Sequence, residues 1–102
     1  MGDFVTVAGA AEVVDGELAA FDVSGASVAV ANVSGTLHAF GDTCTHAGCS
    51  LASGDLEGTV VTCPCHGSKF DVTTGRVLRG PAQKPVESYV VRVENRTLQV
   101  EI

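Results

Sequence analysis

The amino-acid sequence predicts an all-β domain, an antiparallel barrel or sandwich that carries two metal-binding loops at one tip. Short runs with alternating apolar and polar residues recur along the 102 residues, and a period of two is typical of half-buried strands. Pairs such as Ser24-Gly25 and Ser34-Gly35 separate these runs and suit tight hairpin turns. The four cysteines all fall within two short stretches, 44–49 and 63–68, which predicts two loops with one shared task.

The N-terminal half predicts a meander that leads into the first loop. The Ala-rich stretch 8–14 predicts a single helical turn. The Ser-Gly pairs join three consecutive strands, which therefore lie side by side. Gly41, Asp42 and Thr43 then end the strand pattern. Strands are expected over residues 4–7, 17–23, 27–33 and 36–40.

The C-terminal half predicts shorter strands around the second loop. The β-branched run 59–62 predicts a strand that ends directly at Cys63, so a rigid element precedes the loop. Gly54-Asp55 and Glu57-Gly58 are expected to bracket a turn before it. The segment 79–85 is expected to be irregular, because its two prolines oppose a helix or a central strand. Further strands are expected over residues 70–72, 76–78, 86–93 and 97–102.

Size and charge exclude several classes of function. A chain of 102 residues with 45% hydrophobic content suits one domain over residues 1–102. We expect a soluble, cytoplasmic monomer, since no apolar run approaches the ~18 residues of a membrane span and no basic stretch precedes an apolar one. Residues 1–68 hold eight acids and no Lys or Arg, and the net charge is −6. Such a surface should repel nucleic acid and anionic membranes; it either serves solubility or favours a partner protein with a basic docking face.

The cysteine stretches have the composition of a soft-metal site. They read Cys44-Thr45-His46-Ala47-Gly48-Cys49 and Cys63-Pro64-Cys65-His66-Gly67-Ser68. Each offers a cysteine and a histidine, as Cys-x-His and Cys-x-x-His, and these ligands suit zinc or iron–sulfur chemistry. Structural zinc sites usually pair two cysteines in one knuckle. One cysteine and one histidine per loop instead favours a two-iron cluster with two thiolates on one iron and two imidazoles on the other.

Over essentially its whole length the chain resembles the Rieske iron–sulfur family. The similar features are both loops, the spacer between them, Gly67-Ser68 and Gly80-Pro81-Ala82. The resemblance implies one [2Fe–2S] cluster. It assigns as ligands Cys44 and Cys63 to one iron, and His46 and His66 to the other.

The resemblance also implies roles for residues beside the ligands. In high-potential members of the family, cysteines placed like Cys49 and Cys65 form a disulfide; two free thiols are the alternative that a reducing cytosol favours. Ser68 stands where the family has a hydroxyl that hydrogen-bonds a bridging sulfide and raises the reduction potential. Phe70 stands where high-potential members carry tyrosine. We therefore expect a potential between those of respiratory Rieske proteins and of dioxygenase ferredoxins.

The histidine count limits what such a cluster can do. The chain has three histidines, and an oxygenase needs a second iron, typically held by two histidines and a carboxylate. With His46 and His66 assigned, only His38 remains, and we expect it to be a structural or surface residue and not a ligand. We therefore predict a one-electron carrier and not an enzyme, which takes electrons from a reductase to a terminal oxygenase or another redox partner. A Rieske domain of a larger respiratory or oxidase complex is the second hypothesis, and a structural zinc-binding module is the third.

Overall fold

Three antiparallel sheets form the protein, which is described here by a computed structural model for residues 3–45 and 48–102, the Ala10 side chain excepted. Two 3-10 helices span Ala10–Glu12 and Leu51–Ser53. The all-β prediction is confirmed. The strands are β1 Phe4–Gly9, β2 Leu18–Val23, β3 Ala26–Val33, β4 Thr36–Gly41, β5 Asp55–Glu57, β6 Val60–Thr62, β7 Lys69–Asp71, β8 Val77–Arg79, β9 Ser88–Tyr89, β10 Val91–Glu94 and β11 Thr97–Glu101.

The central sheet is the predicted meander with one added strand. Its order is β2-β3-β4-β9, and β2 pairs with β3 and β3 with β4 in antiparallel register. Ser24 and Ser34, each followed by glycine, have φ values of 52°. Positive φ at both central residues is the type I′ geometry that matches the twist of a hairpin.

The two smaller sheets close the molecule on either side. In one, of order β1-β11-β10, the first and last strands of the chain pair with each other. The other has the order β5-β6-β7-β8, so the second cysteine loop lies at the end of its central β6–β7 hairpin. The first cysteine loop follows β4 of the central sheet. The two loops therefore belong to different sheets.

Strand β3 separates two hydrophobic cores. Its residues alternate between the faces of the sheet, and the four from Val28 to Ala31 are fully buried. Val28 and Val30 contribute to a core with Leu98 and Val100 of β11. Ala29 and Ala31 contribute to the other core, which also contains, in order along the chain, Phe40, Cys44, Leu51, Val61, Cys63, Phe70, Val72, Ala82 and Val86. The second of these cores thus reaches both cysteine loops.

Two predictions about strands are wrong. The expected turn over residues 54–58 contains β5, which pairs with β6. The expected strand over residues 86–93 is two strands in different sheets, since β9 pairs with β4 and β10 with β11. The chain passes between the sheets at Val90, whose side chain is exposed. The first difference arises in a local hairpin, because β5 and β6 are joined by the tight turn at Gly58. The second comes from the pairing of β9 with β4, which is distant in sequence and which local alternation does not reveal.

The segment between β8 and β9 is irregular, as predicted, and its Gly80–Pro81 bond is cis. Within the described residues there is no helix long and apolar enough to cross a membrane.

Asp71 shapes the turn between β7 and β8. Its Oδ1 accepts hydrogen bonds from the Thr73 hydroxyl at 2.6 Å and from the Thr73 backbone N–H at 2.8 Å. The Thr73 hydroxyl is the largest cause that lowers the pKa of Asp71 below its ordinary value. Burial opposes it in part, while the Thr73 N–H and the charges of Arg76 and His38 add to the lowering.

Acid should weaken the fold through this carboxylate. A depressed folded-state pKa means that Asp71 stabilises the fold above the pKa of an unfolded aspartate, about 3.9, and that this contribution is lost as pH falls through the lower folded value. Denaturant titrations at pH 6 to 2.5 should show the free energy of unfolding falling further in the wild type than in Asp71→Asn. Asp55→Asn, a change of an exposed aspartate on β5, should follow the wild type. Parallel curves for wild type and Asp71→Asn would contradict this role.

Candidate metal centre

A buried aspartate fixes the base of the first loop. Asp42 follows β4 and is 6% exposed. Its carboxylate accepts hydrogen bonds from the Ser50 hydroxyl at 2.7 Å and from the Ala52 backbone N–H at 2.8 Å. Its own carbonyl accepts from the backbone N–H of Leu51 at 2.7 Å. These bonds join the two ends of the loop, so hydrogen bonds within the protein fix the distance between the ends.

A hairpin fixes the base of the second loop. Strands β6 and β7 pair with Thr62 opposite Lys69, immediately before and after the loop. The Lys69 ammonium donates a hydrogen bond to the Thr62 hydroxyl at 2.8 Å. Cys63 and Ser68 are therefore held at adjacent positions.

The two loops contain equivalent six-residue turns. In the first, the Cys44 backbone N–H donates to the Cys49 carbonyl at 2.8 Å, and that of Gly48 to the Cys44 carbonyl at 2.9 Å. In the second, the corresponding bonds are Cys63 to Ser68 at 2.8 Å and Gly67 to Cys63 at 3.2 Å. Each turn thus begins with a cysteine whose N–H and carbonyl are both engaged.

Glycine is needed at the fifth position of each turn. Gly48 has a φ of 73° and Gly67 a φ of 77°. Residues with a Cβ disfavour this left-handed region, and glycine adopts it without strain. The repeated glycine therefore explains why two otherwise different loop sequences form the same turn.

The predicted ligands lie in contrasting environments. Cys44 and Cys63 are each 2% exposed and belong to one apolar core. His66 is exposed at the loop tip. His46, with Ala47, lies outside the described residues. The structure thus brings the two cysteines to one core and leaves the imidazole of His66 at the surface.

A disulfide between Cys49 and Cys65 joins the loops, with the two Cα atoms 6.4 Å apart. The pairing that the family resemblance implied is therefore present, and the alternative of two free thiols is wrong. The Sγ atoms of Cys49, Cys65 and Cys63 lie within 4.8 Å of one another. Because sulfurs joined in a disulfide are not thiolate ligands, this trio is not itself a metal site. It places the bridge directly against one predicted ligand.

A third segment, residues 80–85, contacts both loops. The Ala82 backbone N–H donates to the Ser68 hydroxyl at 3.0 Å, and Ser68 is fully buried. The Thr45 hydroxyl donates to the Lys84 carbonyl at 2.6 Å. A surface depression of about 460 Å³ adjoins this segment and is lined by Thr45, Pro81, Gln83 and Lys84. The segment therefore ties the first loop to the second.

Two residues of the site, Asp42 and Thr45, make structural hydrogen bonds that the sequence did not indicate. The sequence indicated Asp42 only as one of three residues that end a strand, yet its carboxylate joins the ends of the first loop. Thr45 was not singled out, although it stands between a predicted cysteine and a predicted histidine ligand. Its position in Cys-Thr-His was the available signal, but the acceptor, Lys84, is 39 residues away.

The donor set fits an iron–sulfur cluster better than a magnesium or calcium site. Two buried sulfurs in an apolar core suit soft metals, and an exposed imidazole is a nitrogen donor that such metals also accept. The described residues also supply a buried hydroxyl, Ser68, beside the second loop. Because that hydroxyl accepts a bond from Ala82, its single proton remains for another acceptor.

Comparison with known proteins agrees with this chemistry. The sequence profile of the Rieske [2Fe-2S] domain matches residues 3–90. The ferredoxin component of the naphthalene 1,2-dioxygenase/salicylate 5-hydroxylase systems of Ralstonia sp is 32% identical over 91 residues, which cover 89% of this chain and 88% of that protein.

Solved structures of similar sequence share the fold. The ferredoxin of carbazole 1,9a-dioxygenase from Nocardioides aromaticivorans IC177 is 32% identical, with a TM-score of 0.92 and 96% of each chain covered. A chain from a complex of reduced oxygenase and oxidised ferredoxin in carbazole 1,9a-dioxygenase is 33% identical, with a TM-score of 0.90 and coverage of 96% of this chain and 92% of that one.

Removing the Thr45 hydroxyl should loosen the contact between the first loop and segment 80–85. We expect Thr45→Val to lower the free energy of unfolding by about 1 kcal/mol, the usual net contribution of one hydrogen bond. Thr45→Ser keeps the hydroxyl and should remain near the wild-type value. Denaturant titration of the wild type and the two variants provides the measurement. Equal stability of Thr45→Val and Thr45→Ser would show that this hydrogen bond does not stabilise the fold.

Proposed function

The chain belongs to the Rieske [2Fe-2S] domain family, and from this premise we propose that it carries single electrons from a reductase to a terminal oxygenase. The observation that carries the proposal is the pair of equivalent turns, which buries Cys44 and Cys63 in one core and leaves His66 exposed. The relatives are ferredoxin components of dioxygenase systems, which are electron carriers and not catalytic subunits. The cofactor of the family is one [2Fe–2S] cluster.

We assign the cluster ligands to two pairs of residues. Cys44 and Cys63 bind one iron and His46 and His66 bind the other. The burial of the cysteines and their matched positions in the two turns support the first pair, and the contrasting exposure of His66 supports placing it in the second. When bound, the cluster stores one electron.

The chain's own residues control where that electron enters and leaves. The apolar core around the cysteines excludes water from the inner side, and a low local dielectric strengthens each hydrogen bond made there. The exposed His66 and the depression beside Thr45 and Lys84 offer the surface on which a partner can approach. We propose that both the reductase and the oxygenase dock at this end.

The partner assignment rests on similarity and charge. One structure of similar sequence is described as a complex of reduced oxygenase and oxidised ferredoxin, which supports an oxygenase as the acceptor. The net charge of −6 supports a partner with a basic docking face, because opposite charges speed diffusional encounter.

One observation favours the second hypothesis, a Rieske domain of a respiratory or oxidase complex. The Cys49–Cys65 disulfide is the feature that the family resemblance of the sequence associates with high-potential members. Phe70, which lacks the tyrosine hydroxyl of those members, is fully buried in the core that contains both ligand cysteines. The reduction potential separates the two hypotheses, since a value near the respiratory range would favour the second.

The cluster and its ligands can be tested by analysis of the purified protein. We expect about two iron and two acid-labile sulfide per chain, and one unpaired electron by EPR after one-electron reduction. His66→Ala should lose most of the sulfide and the visible absorption. His38→Ala, which changes a half-buried histidine of β4, should keep both. One zinc per chain without sulfide would instead establish the zinc-module hypothesis.

Electron transfer requires its own test. The reduced protein should be reoxidised by the terminal oxygenase of an aromatic dioxygenase system in stopped-flow experiments, faster at low than at high ionic strength. A protein that holds the cluster but reduces no oxygenase, and instead exchanges electrons with a cytochrome, would favour the respiratory hypothesis.

Two substitutions test the proposed tuning of the potential. Ser68→Ala removes a hydroxyl that we place against the cluster, where it stabilises the reduced, more negative state. A hydrogen bond to a charged group contributes about 1.5–3 kcal/mol, so we expect the potential to fall by roughly 60–130 mV. Ser50→Ala removes a hydroxyl that is hydrogen-bonded to Asp42, and this control should change the reduction potential much less. Phe70→Tyr should raise the potential, and protein-film voltammetry measures all three.

Other expectations stay predictions. These are the single domain over residues 1–102, the monomeric state and the cytoplasmic location. Sedimentation of the purified holoprotein tests the second, and fractionation of the source cells tests the third.

A further inference from the structure

The thiol of Cys63 lies beside a disulfide that it does not belong to. The Sγ atoms of Cys63, Cys49 and Cys65 are within 4.8 Å of one another. The Cys63 thiol therefore lies close to both sulfurs of the bridge. A thiolate that reaches a disulfide sulfur can displace the other sulfur through thiol–disulfide exchange.

The three cysteines differ in how firmly they are held and how exposed they are. Cys63 directly follows β6, its N–H is bonded to Ser68, and its side chain is 2% exposed. Cys49 is partly buried and packs against the same core. Cys65 is exposed at the loop tip. The rigid thiol therefore faces a bridge with one inner and one outer sulfur.

We propose that Cys63, when no iron holds it, attacks the Cys49–Cys65 bridge and forms a Cys49–Cys63 disulfide, releasing Cys65 as a thiol. The proposal rests on the assignment of Cys63 as a ligand only for its control by iron, because a thiolate bound to iron is not available as a nucleophile. The exchange itself rests on the positions of the three sulfurs.

The step balances without an oxidant or a reductant. The Cys63 thiolate forms a bond to the Cys49 sulfur, and the bond from Cys49 to Cys65 breaks. Cys65 leaves with the electron pair and takes up the proton that Cys63 lost. One thiol and one disulfide are consumed, and one of each is produced.

Attack at Cys49 is favoured over attack at Cys65 for two reasons. A Cys63–Cys65 bond would close a ring around Pro64 alone, whose φ is fixed by its own ring. Attack at Cys49 also expels Cys65, the exposed residue of the bridge, whose thiolate can then be hydrated at the loop tip.

The exchange would couple loss of the cluster to a chemical change in the site. It removes one ligand thiol from the core and leaves an exposed thiol at the tip. The altered protein cannot bind iron through Cys63 until an external thiol reopens the new bridge. The Cys49–Cys65 disulfide thus serves as the electrophile in a reaction that blocks Cys63 when iron is lost.

The experiment maps the bridge before and after iron is removed. The holoprotein is treated anaerobically with a ferrous and ferric chelator, alkylated with iodoacetamide and digested without reduction. Fragmentation of the peptide that contains residues 63–65 then locates the alkyl group. We expect Cys65 alkylated and Cys63 bridged to Cys49 after chelation, and the Cys49–Cys65 bridge in the untreated holoprotein. Alkylation confined to Cys63 after chelation would overturn the proposal.

Two matched variants separate the exchange from the ligand assignment. Cys44→Ser and Cys63→Ser each remove one buried cysteine, but only the second belongs to the trio. We expect the Cys49–Cys63 bridge in Cys44→Ser and the Cys49–Cys65 bridge in Cys63→Ser. The proposed function is judged separately, by the iron and sulfide of the wild type, so either idea can fail alone.

Denaturation tests whether the folded arrangement drives the exchange. Freshly chelated wild type, which starts from the folded holoprotein, should exchange at least about tenfold faster in buffer than in concentrated guanidinium chloride, because folding holds the reacting atoms together. Equal rates in the two solvents would show random exchange in an unfolded chain and overturn the proposal.

Discussion

Two six-residue turns carried by different sheets must present their first cysteines to one place, and the rest of the site depends on this constraint. The first turn follows the central sheet and the second ends the β6–β7 hairpin. Neither turn sets its position relative to the other. The core that contains Phe40, Leu51 and Phe70 fills the space between the sheets, and its close packing leaves little freedom for sliding. The backbone hydrogen bonds then fix each cysteine within its own turn.

The contrast between buried cysteines and an exposed histidine suits this site to electron transfer. A wholly buried site would keep partners at a distance, and a wholly exposed one would leave the cluster in water, where charge is screened and hydrogen bonds are weaker. Here the two cysteines that we propose as ligands lie within the core while His66 reaches the surface. Segment 80–85 completes the site by holding Ser68 and Thr45 through its backbone. Its sequence matters less for these two bonds than its path.

The sequence predicted those features that neighbouring residues determine. Cys-x-His and Cys-x-x-His are local patterns, and the Ser-Gly pairs predicted the I′ turns of the meander because the turn chemistry lies within two residues. The division of residues 86–93 between two sheets was not predictable, since alternation continues across Val90 while the pairing partners lie in β4 and β11. The bonds from Thr45 to Lys84 and from Ala82 to Ser68 join residues far apart in the chain, so no local pattern indicates them.

The disulfide and the cluster constrain the same two loops, and this overlap explains why the bridge is free to change partners. Closing a loop of this size contributes about 3 kcal/mol by chain entropy, but much of that is redundant once the four proposed ligands join the loops. The native bridge spans a separation of 16 residues and a Cys49–Cys63 bridge would span 14. By the same relation these loops differ by only about 0.1 kcal/mol, so chain entropy barely distinguishes the two bridges. Which of the two bridges forms therefore depends on the hydration of the released sulfur and on whether iron is bound to Cys63.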